Sequence, residues 1–240
     1  NNGKVSKDIP RIEARLSELG DKENPFEDKR KLRLLSLLGV KHVLYFDDNN
    51  LKNSDVNKFS QDLFKPIWQN GNWHGLEYNN VFPRVFLVHN IHIQNNPQKI
   101  LDLVFDPKID LLTTIILEEK PADIIISNEF INLPKPIDSF VSIVSYKPQE
   151  IIIRAKTDVA QMLFLSDNYY PGWNAYIDGE ETKIYRANYT FRSIYLPKGN
   201  HTVMFKYDPM SFKIGSTISL LSVVTMLTFI VLKINKSRIT

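Results

Sequence analysis

The residues best suited to chemistry lie between Ser166 and Tyr207. Tyr169, Tyr170 and Trp173 offer flat aromatic faces that can stack on the apolar C–H faces of a sugar ring. Arg186 and Arg192 offer planar guanidinium forks that can hold a carboxylate or a phosphate through two parallel hydrogen bonds. These five are the candidate substrate-binding residues, and each has a plainer use. Trp173 alternates with Ala175 and Ile177, so strand periodicity favours it as core filling. Pro171-Gly172 forces a turn that either presents Tyr169 and Tyr170 or tucks them in. Arg186 ends a face shared with Thr182 and Ile184, where a structural salt bridge to Asp167 or Asp178 is favoured over a lipid-phosphate contact.

Other chemistry-bearing pairs are weaker. Asp47-Asp48 at a strand end could hold a divalent metal, but no third ligand is identifiable and a solvated loop is the simpler reading. His89 and His92 are three apart, which on a strand sets them on opposite faces and denies them a shared metal. The aromatic run Trp68, Trp73, His74 and Tyr78 reads as a packed loop ahead of a sugar-stacking one. Asn188-Tyr189-Thr190 and Asn200-His201-Thr202 fit the glycosylation pattern, a short motif that also arises by chance. No phosphate-cradling glycine loop, Cys/His metal pattern or nucleophile elbow is present. The reading therefore nominates no catalytic residue, no metal and no cofactor.

The chain has 240 residues, 43% of them hydrophobic, and no cysteine, so disulfides and thiolate metal sites are excluded. The net charge of +3 comes from Lys233, Lys236 and Arg238 at the C-terminal end. Without them, 27 basic residues face 27 acidic ones, and the main body lacks the charge of a nucleic-acid binder. Just before those basic residues, Ile214 to Leu232 is an uncharged run of 19 residues, long enough as a helix to span a bilayer. Its serines and threonines can bond within their own helix or to a neighbouring one. The trailing basic residues place the C-terminus in the cytoplasm and the body outside it. Residues 1–30 carry no signal-peptide pattern, so export of an extracytoplasmic body is expected to depend on something upstream, in a longer protein.

The elements that position these residues follow from periodicity. Ile12, Leu16 and Leu19 share a helical face, and Lys31 to Leu38 is a second short helix stopped by Gly39. Val40 to Phe46 is β-rich, and Val81 to Ile93 reads as one strand interrupted by Pro83. Asn96 with Pro97 marks a helix start running to Phe105. Thr113 to Glu118 is a strand, and Asp123 to Ser127 a further one. From Ser139 the pattern is β throughout, with Asp178-Gly179 a tight hairpin turn.

From Leu165 on, the segment Ser-Asp-x-Tyr-Tyr-Pro-Gly-Trp, then Asp178-Gly179, Tyr185-Arg186-Ala187-Asn188, Phe191-Arg192, the turn Pro197-x-Gly199-x-His201 and Tyr207-x-Pro209, resembles the C-terminal end of the YfhO-like bacterial membrane proteins. LSLLGVKHVLY at 35–45 and FPRVFLV at 82–88 are similar too. The resemblance covers residues 31–240 and is densest over 160–222. It implies a large multi-pass protein of glycosyltransferase-C-like architecture that uses a polyprenyl-phosphate sugar. It also implies that the catalytic acids sit in an early extracytoplasmic loop, upstream of this chain.

The expected architecture is mainly β with some α: an extracytoplasmic antiparallel β-sandwich, jelly-roll-like, with a small α/β region before it and one transmembrane helix after it. The expected division is 1–30 as a polar segment, 31–136 α/β, 137–212 sandwich, 213–233 transmembrane helix and 234–240 cytoplasmic tail. The leading functional expectation is an accessory region of a membrane-bound glycosyltransferase-like protein acting on lipid-linked sugars for cell-surface glycosylation. A membrane-anchored glycan-binding module is the alternative, and catalysis through Asp47 and Asp48 the third reading. Expected partners are membrane lipid, the upstream transmembrane bundle, and a lipid-linked sugar or cell-surface glycan, with no nucleic acid.

Overall fold

A computed structural model describes residues 29–47, 59–124 and 130–239, with side chains through residue 230. The helix expected at 9–19, Asp48, and most of the strand expected at 123–127 lie outside the described residues. Helix α1 (Lys29–Leu37) ends at Gly39, whose φ of +66° suits a glycine stop. Strands β1 (His42–Phe46), β2 (Phe64–Asn70) and β3 (Trp73–Tyr78) form an antiparallel sheet of order β1-β3-β2. One face packs Phe64, Leu76 and Tyr78 against Leu32 and Leu35 of α1. The other leaves Leu44, Phe46, Trp68 and Trp73 exposed, so the packed-loop reading of these tryptophans does not hold.

Next come β4 (Val85–Val88), β5 (Asn90–Ile93), helix α2 (Pro97–Phe105), β6 (Thr114–Leu117) and β7 (Phe130–Asn132). The single strand expected over 81–93 is thus two strands joined at His89. Helix α2 starts as its sequence predicts: the Asn96 side chain accepts hydrogen bonds from the backbone N–H groups of Gln98 and Lys99 at 3.0 and 3.1 Å, with Pro97 in the first turn. It also makes the crossover that lets β5 and β6 pair in parallel. That β-α-β unit lies within the region expected to be α/β. All four residues of β6 are buried, as befits a strand covered on both faces.

The remaining strands are β8 (Ser139–Lys147), β9 (Glu150–Thr157), β10 (Gln161–Asn168), β11 (Trp173–Ile177), β12 (Glu180–Thr182), β13 (Tyr185–Ala187), β14 (Phe191–Leu196) and β15 (Gly199–Tyr207). They complete two sheets, of order β4-β10-β14-β13-β6-β5-β7 and β12-β11-β15-β9-β8. The first combines strands from both sides of the 136/137 boundary. Its β4 and β5 are one residue apart in sequence yet stand first and sixth in the sheet. Two residues reach no more than about 7 Å, so the sheet must curl until these strands nearly meet. Its concave side holds a core of Phe86, Ile91, Phe164 and Phe191 that Ile100 and Val104 of α2 help to fill.

The five-stranded sheet covers the other side. Ile151, Ile153 and Ala155, which strand alternation sets on one face of β9, point inward and meet Leu163, Leu165, Ile194 and Leu196 of the larger sheet. The β11–β12 hairpin turns at Asp178 (φ +53°) and Gly179 (φ +91°), the expected Asp-Gly turn.

Helix α3 (Met210–Ile239) follows β15 after only Asp208 and Pro209. Its first 21 residues are long and apolar enough to cross a membrane, and none of that stretch is buried against the head. Thr217, Ser222, Thr225 and Thr228 donate to the carbonyls four residues earlier at 2.8–2.9 Å, so their hydroxyls are satisfied within the helix. Asp208 N–H donates to the carbonyl of Gly172 at 2.7 Å. A Cβ on Gly172, where φ is +97°, would lie 2.9 Å from Pro209 Cβ and 3.0 Å from Tyr207 Cε2. Gly172→Ala is therefore expected to cost about 1–3 kcal/mol through backbone strain and crowding. A thermal melt within error of the unsubstituted chain would contradict this.

Candidate functional site

Chain connections between the two large sheets arch over the ends of the sandwich. The arch from β10 to β11 is Tyr169–Gly172, the predicted turn. Just before it β10 bulges: Leu165 pairs with Arg192, but the next partner of β14 is Asn168, opposite Phe191. The bulge re-aims Ser166 and Asp167 out of the regular alternation. Beneath the arch lies an open cleft of about 500 Å³. Tyr169, Tyr170, Trp173 and Arg192, four of the five predicted binding residues, line it together with Arg84, Tyr146, Asp167 and Tyr207.

Asp167 is the centre of its polar network. Arg192 Nη2 donates to Oδ2 at 2.8 Å and Arg84 Nη2 donates to Oδ1 at 2.7 Å. The Tyr146 hydroxyl donates to both oxygens, at 3.0 and 3.2 Å, and accepts from Arg84 Nη2 at 2.8 Å. The Arg192 and Asp167 side chains are only 3% and 8% exposed, whereas Arg84 is 44% exposed. One carboxylate thus serves two guanidinium groups of unequal burial.

Arg192 is held as much by rings as by hydrogen bonds. Its guanidinium carbon lies 4.0 Å from the centroid of Trp173 and 5.4 Å from that of Phe205. Its Nε and Nη1 are enclosed without a hydrogen-bond partner, as is Thr190 Oγ1 on the same cleft wall. Burial lowers the Arg192 pKa from its ordinary value against the opposing pull of Asp167. For Arg84 burial acts the same way, but Asp167 and the Tyr146 hydrogen bond outweigh it and the pKa is raised. Burial, followed by the neighbouring Asp167 charge, raises that of Tyr146.

Trp173 takes its core-packing role and also borders the cleft. It is half-buried against the sandwich core, and its ring faces Tyr207 at 5.4 Å on the cleft side. Tyr170 approaches Tyr207 at 6.4 Å. Arg186 is the exception. It does not line the cleft, and its acidic partner is Glu118, at 3.6 Å, in place of the expected Asp167 or Asp178. The reason is topological: β13 pairs with β6 through Ala187 and Leu117, which brings residue 118 alongside. Asp178 instead contacts His201 Nδ1 at 2.7 Å and accepts from Thr202 N–H at 2.8 Å. Arg186 still touches the site indirectly, lying 4.8 Å from the ring centroid of Tyr169.

Sequence reasoning missed Arg84, Tyr146 and Tyr207 as cleft residues, and gave Asp167 to the wrong arginine. Arg84 lies inside the FPRVFLV segment that carried the resemblance, which was the available signal. Asn188 is 2% exposed, and its side-chain oxygen accepts from Ile116 N–H at 2.8 Å, so the glycosylation pattern at 188–190 is a structural corner. Among the described residues no three His, Cys, Asp or Glu side chains cluster as a metal site. His92 instead meets Phe130 edge-on at 5.8 Å.

The β-rich head thus runs directly into one apolar helix long enough to cross a membrane. Residues 137–219, from just before β8 into α3, match the family model described as bacterial membrane protein YfhO, and this part of the chain is YfhO-like. No curated protein and no solved structure matches the chain.

Proposed function

We propose that this chain is an extracytoplasmic accessory region, with the last span, of a membrane-bound glycosyltransferase-like protein acting on lipid-linked sugars for cell-surface glycosylation. In this reading the cleft under the β10–β11 arch holds a sugar against Tyr169, Tyr170 and Trp173. The observation that carries it is position. Tyr207 of the cleft wall lies three residues before the first residue of α3, and three residues span at most about 10 Å. A sugar bound there would rest at the bilayer surface, where a lipid-linked sugar presents its headgroup. Aromatic walls with a few convergent polar groups are the usual make-up of a ligand cleft. The catalytic groups lie elsewhere in the parent protein.

The test is made in cells carrying the complete protein. Tyr170→Ala and Tyr169→Ala are expected to reduce lectin-detected surface glycosylation about tenfold, the effect of losing roughly 1.4 kcal/mol of contact, at unchanged protein level. Unaltered glycosylation in both variants would sink the reading.

A further inference from the structure

We infer that the same cleft contains an oxyanion subsite of phosphate class, built on Arg84 and backed by Arg192. The inference rests on the sugar-cleft reading and names the charged part of its ligand. The cleft wall carries two guanidinium groups and one carboxylate, and its other lining residues are neutral. Asp167 is already saturated by Arg192, Arg84 and Tyr146, so one positive charge stays uncompensated at the wall. Charge left unbalanced in a partly enclosed site attracts an anion more strongly than the same charge in open water.

The donors divide by accessibility. Arg192 is enclosed between Trp173 and Phe205 and acts through its field. Arg84 is the contacting residue: it is 44% exposed and spends one nitrogen, Nη2, on both of its hydrogen bonds. Its other nitrogens are available in the planar arrangement that suits a phosphate. Asn168, Tyr170 and Tyr207 line the cleft beside it and bring further hydrogen-bonding groups. The volume of about 500 Å³ falls in the range that takes a small ligand such as a phosphorylated sugar.

The test uses the full 240-residue chain in lipid nanodiscs, with calorimetric titration of glucose 1-phosphate, methyl glucoside and inorganic phosphate. Glucose 1-phosphate is expected to bind about tenfold or more tightly than methyl glucoside. That gap should vanish in Arg84→Gln, persist in part in Arg84→Lys, and shrink in 0.5 M NaCl as screening requires. Dodecyl phosphate in the nanodisc separates the sources: competition marks a lipid headgroup and no competition marks a soluble phosphate, and either keeps the subsite. Equal binding of the two sugars, or a gap that survives Arg84→Gln, overturns the subsite while leaving the sugar reading intact. Binding of phosphates without any binding of methyl glucoside does the reverse. No binding by any probe overturns both. Should Arg84→Gln not fold, the salt dependence in the unsubstituted chain decides: a gap unchanged by 0.5 M NaCl overturns the subsite.

Discussion

Asp167→Ala is expected to destabilise the head by about 3–5 kcal/mol, the usual cost of leaving a buried charge without its partner. The stranded group is Arg192, whose side chain is 3% exposed and has no other hydrogen-bond acceptor at its enclosed nitrogens. Trp173 and Phe205 attract its charge but cannot accept as a carboxylate does. Arg84 can turn to solvent, so most of the loss belongs to Arg192. The double replacement Asp167→Ala with Arg192→Met removes both buried charges and should recover a substantial part of the loss, a strong non-additivity. Apparent melting temperatures in detergent measure both. A single variant that melts with the unsubstituted chain, or a double variant worse than the sum of the singles, would refute this account.

Phe164→Ala is the second large effect, also about 3–5 kcal/mol. Phe164 is fully buried on the concave side of the curled sheet, with ring centroids 4.8 Å from Phe86 and 5.4 Å from Phe191. Those neighbours stand on β4 and β14, the two strands that flank β10. Truncation therefore opens a cavity where three strands converge, and backbone pairing on both sides restrains collapse. The melting temperature should fall by on the order of 10 °C. Phe164→Leu, which keeps much of the volume, should lose far less, and equal losses for the two variants would point to a cause other than the cavity.

The contrast between these residues shows what a sequence carries. Phe164 reads as core because it lies in an apolar run of strand length. The Asn96-Pro97 helix start, the Asp178-Gly179 turn and the shared face of Ile151, Ile153 and Ala155 are legible for the same reason: each depends on residues within a turn or a strand of one another. The pairing of Arg192 with Asp167 depends on the β10 bulge, and that of Arg84 with Asp167 on β4 lying beside β10. No local pattern encodes either neighbour. Arg186 was misassigned because its partner is fixed by the distant β13–β6 pairing. Val81 to Ile93 was read as one strand because nothing in the composition marks His89 as the point where the chain passes between opposite parts of a curled sheet. The exposed tryptophans of the small sheet have the same origin: an aromatic run looks alike whether it is a packed loop or paired strands with one face uncovered.

The contact of Gly172 with Pro209 has a mechanical meaning. Only Asp208 and Pro209 separate β15 from α3, and the arch of the cleft grips that junction by a backbone hydrogen bond. So short and tethered a connection gives the head little length of chain to turn on, so a tilt of α3 of about 20°, common for membrane helices, is expected to carry largely into the head. If α3 spans a bilayer, the angle of the cleft to the membrane then depends on whatever packs against α3, at a distance from the cleft itself.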